Sequence, residues 1–161
     1  MMKFRWIGTR RAAAAVLLLI AAMHASAQTC ATPIAAIPLG SYSGNTCNNS
    51  THLPALANGA IVTNGGGEDV YHISGANLSQ VSLILQPGAG VDLALFVCPN
   101  QCSTYATCIA AVDNGGAGAM ESVLLSDGPG DYYVVVASVA AVTPNCGSYN
   151  LFVQAPVGAN R

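Results

Sequence analysis

The stretch Tyr132-Tyr133-Val134-Val135-Val136 contains only aromatic and β-branched residues, the types that are enriched in β-strands. Successive side chains of a strand point to opposite faces of its sheet, and in this stretch both faces are apolar. A strand that is apolar on both faces is typical of a central position in a sheet that is covered on both sides. The stretch therefore predicts a central strand, and with it a protein built on β-sheets.

Other segments alternate between apolar and polar residues, which is the pattern of a strand with one buried face. In residues 81–86, Val81, Leu83 and Leu85 share one face, and residues 148–154 repeat this alternation. Turn signals rich in glycine, proline and asparagine lie between such segments, at residues 64–67, 86–90, 113–116 and 127–130. Strands are predicted over residues 34–39, 60–63, 69–74, 79–86, 92–98, 107–112, 121–126, 132–139 and 148–154.

No segment after residue 27 shows convincing helical periodicity. Several short strands separated by regular turn signals indicate an all-β sandwich or barrel of about eight or nine strands. Because cations are almost absent after residue 11, we expect apolar burial and disulfides, rather than salt bridges, to stabilise this domain.

The basic residues are confined to the two ends of the chain. Four precede an apolar run over residues 12–23, and the fifth is the last residue: Lys3, Arg5, Arg10, Arg11 and Arg161. A secretory signal peptide has a basic segment, followed by an apolar run and then by small residues at the cleavage site. We predict a signal peptide over residues 1–27, with cleavage after Ala27.

A membrane anchor is the alternative interpretation of this segment. Its apolar run of about twelve residues is shorter than the ~20 residues that a helix needs to cross a bilayer. Gln28 and Thr29 separate the small residues from Cys30, so the pattern of a lipoprotein signal is not met. We therefore expect a secreted or periplasmic protein, residues 28–161, without a membrane anchor after signal cleavage.

The part that follows the predicted signal peptide is acidic. One Arg stands against seven Asp and Glu residues, which gives a formal charge of −6. Binding to nucleic acid or to an anionic lipid surface needs clusters of Lys and Arg, and this part of the sequence has none. Nucleic acid and membrane surfaces are therefore excluded as partners.

All six cysteines follow residue 27, and an even number of cysteines in an exported domain indicates three disulfides. Zinc is the competing interpretation, because Cys98, Cys102 and Cys108 are closely spaced, but the paired short spacings of a zinc ribbon are absent. Six cysteines allow many pairings. Among them we predict Cys102–Cys108 across a loop, Cys98–Cys146 between two strand ends, and Cys30–Cys47 in the N-terminal segment.

The histidines and serines form no recognisable catalytic pattern. His52 falls in a predicted loop, and His72 faces solvent if its neighbours Tyr71 and Ile73 point inward. Serines are abundant, but no GxSxG motif ties one of them to a histidine and an aspartate. A Ser–His hydrolase is accordingly the weakest of the functional hypotheses.

A pair of carboxylates for glycoside cleavage is the next possibility. Glu68 and Asp69 are adjacent, so in a strand they would point to opposite faces and could not share a substrate. Glu121 with Asp92 or Asp113 is a conceivable pair across a sheet. Small glycosidases usually line their clefts with aromatic rings, and the one tryptophan leaves with the signal peptide. The sequence assigns no catalytic residue and requires no cofactor.

Calcium is the one cofactor that the loops allow, because hard oxygen ligands on glycine-rich loops suit Ca²⁺. The candidate ligands are Asp113, Asp127 and Asp131. The alternative is that Asp and Asn open these turns by capping nearby backbone N–H groups. Tyr105, in the predicted loop between Cys102 and Cys108, is the candidate for an exposed binding ring.

Six parts of the sequence share an order with a known family: in chain order, residues 68–73, 81–83, 92–96, Glu121, 130–136 and 147–151. A DLxLF element at residues 92–96 and a GxYYVVV strand at residues 130–136 are the most telling of them. With these elements, the sequence resembles the bacterial pre-peptidase C-terminal domain over about residues 60–154.

The resemblance implies a jelly-roll-like antiparallel β-sandwich. The six cysteines are more than many members carry, so we expect a free-standing, secreted version that is stapled by disulfides. Residues 28–59 would be a lead-in strand and loop of the same domain, residues 60–154 its core, and residues 155–161 a short tail. Members of the family usually accompany secreted hydrolases, so the resemblance also implies a non-catalytic module that aids secretion, localisation or polymer binding. Its expected partners are an extracellular protein, a polysaccharide or a secreted enzyme. The alternative is a structural protein of the cell envelope that self-associates.

Overall fold

The computed structural model describes residues 30, 32–36, 39–49, 57–58, 61–77, 79–100, 108–126, 128–139 and 146–155. Over these residues it contains β-strands, one short 3-10 turn and no α-helix. The strands are β1 (Ile34–Ala36), β2 (Gly40–Asn45), β3 (Ala57–Asn58), β4 (Ile61–Asn77), β5 (Val81–Pro87), β6 (Leu93–Pro99), β7 (Ala110–Val112), β8 (Glu121–Leu125), β9 (Pro129–Val139) and β10 (Ser148–Gln154), and the 3-10 turn is Thr46–Asn48.

The strands form two sheets. The six-stranded sheet has the order β1-β4-β9-β6-β7, with β3 also paired to β4. The four-stranded sheet has the order β2-β10-β5-β8. All pairs are antiparallel except β1 with β4, which run parallel. The expected all-β sandwich is therefore confirmed, with ten described strands and one parallel edge pair that the sequence did not indicate.

The pairing of strands follows a nested order along the chain. Strand β2 pairs with β10, β4 with β9, β5 with β8, and β6 with β7. A long antiparallel hairpin that is folded over on itself produces this order, which is the arrangement of a jelly roll. The expected jelly-roll-like topology is confirmed by these four pairs.

The main core lies between the two sheets. Tyr71 and Ile73 of the six-stranded sheet pack there with Leu83, Leu85 and Leu151 of the four-stranded sheet, and all five are nearly inaccessible to solvent. Their positions alternate along each strand with outward-facing residues, as expected for a strand with one buried face. Burial of apolar area at about 25 cal/mol per Å² is the main source of stability that such a sandwich has.

A second apolar cluster covers the opposite face of the six-stranded sheet. Val70, Phe96 and Val135 are fully buried there, and the disulfide of Cys98 with Cys108 lies in the same cluster. Strand β9 therefore buries residues on both of its faces, and it lies between β4 and β6. The predicted central, doubly buried strand is confirmed.

One end of the four-stranded sheet is held by a compact junction between β2 and β10. Fully buried Thr46 exchanges backbone and side-chain hydrogen bonds with Gly147, at 3.0 Å for the backbone N of Thr46 to the carbonyl O of Gly147. Beside it, a disulfide joins Cys47 to Cys146 with a Cα–Cα distance of 4.9 Å. Gly147 has to be glycine, because a Cβ there would lie 2.3 Å from Val91 Cγ2.

All three predicted disulfides are wrong, because at least one cysteine of each predicted pair is bonded elsewhere. Cys47 pairs with Cys146, and Cys98 pairs with Cys108. Cys108 is therefore not available to Cys102, nor Cys146 to Cys98, nor Cys47 to Cys30, although Cys30 is also disulfide-bonded. The reason is strand register: Asn45 is opposite Ser148, so two residues further along each strand Cys47 meets Cys146.

Two strand predictions also differ from the structure. Residues 64–67 were expected to form a turn between two strands, but they lie inside β4, where the register with β9 shifts between Thr63 and Glu68. Such a shift is a β-bulge, which inserts extra residues without ending the strand. Strand β2 was not predicted at all, because its sequence GSYSGN carries one large apolar side chain.

The predicted signal peptide and the predicted tail lie largely or wholly outside the described residues. Over the residues that are described, no helix is long and apolar enough to span a membrane. Within the predicted lead-in segment, β2 pairs with β10 along its whole length and belongs to the four-stranded sheet.

Candidate functional site

A serine, a histidine and an aspartate lie together on the outer face of the six-stranded sheet. His72 of β4 is opposite Tyr133 of β9, and their rings stack with centroids 4.6 Å apart. Asp131 Oδ1 accepts a hydrogen bond of 2.9 Å from Ser74 Oγ and lies 4.0 Å from His72 Nε2. His72 therefore faces outward, as its place between buried Tyr71 and Ile73 indicated.

The order of these groups is not that of a hydrolytic triad. In a triad the imidazole lies between the hydroxyl and the carboxylate, so that it can take the hydroxyl proton. Here the carboxylate of Asp131 lies between the hydroxyl and the imidazole, and Ser74 donates its hydrogen bond to Asp131 rather than to His72. The arrangement orients Asp131 but does not activate Ser74 as a nucleophile.

A second group contains the carboxylates that the sequence suggested as a pair. Glu121 is 1% exposed and accepts a hydrogen bond of 2.6 Å from the backbone N of Asn114. Burial raises the pKa of Glu121, and the negative charges of Asp113 and Asp92 raise it further. Burial and the charge of Asp92 likewise raise the pKa of Asp113. The structure therefore brings these three carboxylates together, with Glu121 used as an anchor for the loop that begins at Asn114.

The candidate calcium ligands do not meet in one place. Asp113 belongs to the group with Glu121, whereas Asp131 lies beside Ser74 and His72. Asp127 and the candidate binding ring Tyr105 lie outside the described residues. Within the described part of the chain, no three His, Cys, Asp or Glu side chains are arranged to hold a metal ion. Calcium binding therefore stays a prediction from the sequence.

A buried polar network that the sequence did not predict crosses the sandwich near β2. Asp69 is 2% exposed, and its carboxylate accepts hydrogen bonds from Tyr149 Oη and Asn49 Nδ2. Tyr71 Oη lies 2.7 Å from Tyr149 Oη. Because the single O–H of Tyr149 donates its hydrogen bond to Asp69, the hydrogen bond between the two phenols is donated by Tyr71.

Both phenols of this network stay protonated over the ordinary pH range. Burial raises the pKa of Tyr71 to about 12, and burial together with the neighbouring Tyr71 and Asp69 raises the pKa of Tyr149. A cleft of about 210 Å³ opens beside the network, lined by Ile34, Gly44 and Asp69 among others. The donors around Asp69 replace the water that burial removed, so the network satisfies a core carboxylate.

The outer face of the four-stranded sheet is an exposed surface with an ordered pattern of mostly polar side chains. We call it the neutral face, and define it by the outward residues of the four strands: Ser41, Ser43, Ser82, Ile84, Gln86, Ser122, Leu124, Ser148, Asn150, Phe152 and Gln154. None of these side chains is ionisable. The described Asp, Glu and His residues all point elsewhere, into the core, into loops or onto the other sheet.

A shallow cleft of about 220 Å³ lies at one end of the neutral face. It is lined by side chains of β2, β5 and β10, including Ser43, Gln86, Ser148 and Asn150. The backbone at Gly88 forms part of its wall, and the N of Gly88 donates a 2.7 Å hydrogen bond to the carbonyl of Ser148. The volume is below the roughly 300–1,000 Å³ of pockets that enclose small ligands, so the cleft suits a group presented at a surface.

The sequence contained a signal for this face that residue-by-residue reasoning missed. Alternation in β5 and β10 was visible, and the outward positions of both strands are Ser, Asn, Gln, Ile and Phe. The missing information was the pairing of β2 with β10, which places Ser43 beside Asn150 and completes the surface. That pairing joins residues about a hundred positions apart, which local patterns do not report.

Solved structures of nine chains are similar to this one, and two of them follow. The structure is similar to the pre-peptidase C-terminal domain of a collagenase from Bacillus anthracis, with a TM-score of 0.49 and 17% sequence identity, over 76% of this chain and 94% of that one. It is also similar to a periplasmic inhibitor of g-type lysozyme from Aeromonas hydrophila, with a TM-score of 0.42 and 14% identity, over 75% of this chain and 96% of that one. No family model and no curated protein matches the sequence. The first of these structures is a domain of the family that the sequence resembles.

Proposed function

We propose that this protein is an exported, non-catalytic binding module that acts through its neutral face. The observation that carries the proposal is the face itself, which is ordered, open to solvent and free of ionisable side chains. Four paired strands hold its residues in fixed register, so that binding would cost little conformational entropy.

Three polar groups of the described residues that could take part in catalysis have structural partners. Ser74 donates to Asp131, the carboxylate of Glu121 accepts from the loop backbone, and Asp69 accepts from Tyr149. Each of these contacts fixes a strand or a loop. This supports a role in which the fold presents a surface, and the chemistry is left to a secreted enzyme or takes place on an extracellular polymer.

Export is part of the proposal, and the disulfides support it. Cys47–Cys146 and Cys98–Cys108 are formed and Cys30 is also bonded. Disulfides persist in the periplasm and outside the cell, whereas thiols are kept reduced in the cytosol. The basic and apolar start of the sequence is the signal that would direct the chain there.

The proposal is tested by assaying the protein, purified after export, for turnover of casein, starch, xylan and peptidoglycan. We expect no hydrolysis above a blank preparation. Ser74→Ala and His72→Ala serve as paired variants, because they remove the hydroxyl and the imidazole that lie beside Asp131. Turnover that either variant abolishes would show that the protein is an enzyme.

A second candidate function, self-association in the cell envelope, is favoured by one edge of the neutral face. Strand β8 pairs with β5 on one side, and no described strand pairs with its other side. It carries Leu124, whose side chain is 64% exposed, and Met120 precedes it at 54%. An edge strand whose exposed side chains are uncharged is a template for pairing with a second copy. Sedimentation should then show oligomers that Leu124→Lys disperses, and a monomer at high concentration would argue against this function.

A further inference from the structure

We infer that the neutral face binds an uncharged polysaccharide chain that lies across β2, β10 and β5. The inference rests on the proposed function and adds the chemical class of the ligand and the residues that contact it. Strand register creates two rows of side chains on this face, and these rows support the inference.

The first row consists of hydrogen-bonding groups with fixed orientation. Asn150 is opposite Ser43 on one side and Gln86 on the other. Ser43 Oγ donates a 2.7 Å hydrogen bond to Asn150 Oδ1, which turns the NH₂ group of Asn150 away from Ser43. Gln86 Nε2 donates to the carbonyls of Pro87 and Gly118, which leaves Gln86 Oε1 as the acceptor of that side chain.

This row matches a sugar hydroxyl, which donates one hydrogen bond and accepts others. Asn150 offers a donor and Gln86 offers an acceptor on the adjacent strand, about 4.8 Å away. The cleft of about 220 Å³ opens at these same side chains. An amide donor next to an amide acceptor at the mouth of a shallow cleft is suited to one sugar unit of a longer chain.

The second row is apolar at its centre. Phe152 is opposite Ser41 on β2 and Ile84 on β5, and Ile84 is opposite Ser122 on β8. Phe152 and Ile84 are half-buried, so part of the ring surface is open to solvent. The C–H face of a pyranose is apolar and packs on such a ring, while the flanking serines lie near its hydroxyls.

The spacing of the two rows fits a chain rather than an isolated sugar. Asn150 and Phe152 are two residues apart on one strand, so the amide row and the ring are separated by about 7 Å along β10. With one sugar unit at the cleft, the ring of Phe152 lies about 7 Å further along the strand, where the next unit of the same chain would contact it. The Cys47–Cys146 disulfide fixes the start of β10 against the end of β2, which keeps the rows in place before the ligand arrives.

The charge of the face distinguishes the class of ligand. A face without ionisable side chains offers no ion pair to an acidic or basic polymer, and desolvating a charged ligand against it would be unfavourable. An uncharged glycan places hydroxyls and C–H groups there, and both find partners. Binding should therefore persist at high salt, because screening weakens contacts between charges and not these contacts.

The test is affinity electrophoresis and pull-down of the exported, oxidised protein with neutral glycans: cellulose, starch, chitin and a β-1,3-glucan. We expect retention by at least one glycan, equal at about 0.1 M and about 1 M NaCl. Phe152→Ala should weaken that binding by more than about tenfold. Asn150→Ala should weaken it by about fivefold. His72→Ala, on the outer face of the other sheet, is the matched control and should bind as the parent protein does.

Each outcome bears on the inference. Thermal melts of the variants separate loss of binding from loss of folding, and Asn150 is exposed enough for its variant to fold. Binding to none of the glycans, binding unchanged in both face variants, or retention by gelatin alone would overturn the inference. None of these results involves turnover, so the non-catalytic function would stand or fall separately in the hydrolysis assays.

Discussion

Gly44 lies at the point where β2 passes over the buried network of Asp69 and Tyr149. A Cβ at this position would lie 2.2 Å from Tyr149 Oη and 2.6 Å from Asp69 Oδ2. Both atoms are fixed by their mutual hydrogen bond, so neither can move away without leaving a buried polar group unsatisfied. The glycine is therefore required by packing, and not by an unusual backbone angle.

Gly44→Ala is expected to destabilise the fold by about 1–3 kcal/mol, the usual cost of inserting an atom into a packed interior. Gly116→Ala is the matched control, because a Cβ at Gly116 would contact nothing within 4 Å. Urea unfolding of both variants measures the difference. Equal midpoints for the two alanine variants would contradict the described position of Tyr149 against β2.

Glu121 links stability to pH in an unusual direction. Its pKa is raised above the ordinary 4.5 by burial and by neighbouring carboxylates, and the pKa of Asp113 is raised above the ordinary 3.8. A carboxyl group whose pKa is raised by folding binds its proton more tightly in the folded state than in the unfolded state. Its favourable contribution is therefore complete below the ordinary pKa and is lost as pH rises through the raised value.

We expect the melting temperature of the protein to fall as the pH rises above the ordinary pKa values of these carboxyl groups, and Glu121→Gln to flatten that decline. The amide of glutamine still accepts from the backbone N of Asn114 but does not ionise. Ser122→Ala, the exposed neighbour on the same strand, should leave the slope unchanged. A glutamine variant with the same pH dependence as the parent protein would place the effect on other groups.

At the scale of strands, the sequence indicates most of the fold where apolar side chains alternate. Strands β5, β6, β8 and β10 lie within one or two residues of their predicted limits, and β9 is central and doubly buried as its composition indicated. Strand β2 escaped prediction because Tyr149 and Asp69 occupy the space that a larger residue at position 44 would need. Residues 64–67 have the composition of a turn, but they lie inside β4 where its register with β9 shifts. The glycine at position 67 is needed because the backbone at Thr46 leaves no room for a Cβ there.

The disulfides also could not be predicted from the sequence, because their pairing depends on which strands are neighbours. Spacing along the chain suggested a bond between Cys102 and Cys108, whereas the observed bonds follow from which strands are neighbours. Strands β6 and β7 are adjacent, which brings Cys98 to Cys108, and β2 and β10 are adjacent, which brings Cys47 to Cys146. The functional surface has the same origin, since its amide row depends on the pairing of β2 with β10.

The two described disulfides should differ in their effect on stability. Cys47–Cys146 closes a loop with a sequence separation of 99, and Cys98–Cys108 closes one of 10. Loop-closure entropy then gives about 4–5 kcal/mol for the first bond and about 3 kcal/mol for the second. Cys47 and Cys146 are replaced by serine, and the buried Cys98 and Cys108 by valine, and both variants are unfolded in urea. The free energy of unfolding should fall more for the variant without the Cys47–Cys146 bond.

At the scale of the whole molecule, the two outer faces of the sandwich differ. The six-stranded sheet buries Phe96 and Val135 on its outer side, whereas the four-stranded sheet presents hydroxyls, amides and the ring of Phe152 to solvent. Charges are few and lie off this second face. The proposed binding role follows from this asymmetry, because the outer face of the four-stranded sheet is open to solvent and its described side chains are not ionisable.

The neutral face exists only if β2 pairs with β10 in the observed register, and the disulfide map of the exported protein measures that pairing directly. Digestion with pepsin is suitable, because the sequence has no Lys or Arg between Arg11 and Arg161 for trypsin to cleave. Mass spectrometry of the unreduced digest should find Cys47 linked to Cys146 and Cys98 linked to Cys108. A map that instead links Cys47 to Cys30, or Cys98 to Cys146, would separate β2 from β10 and remove the surface on which the proposed function depends.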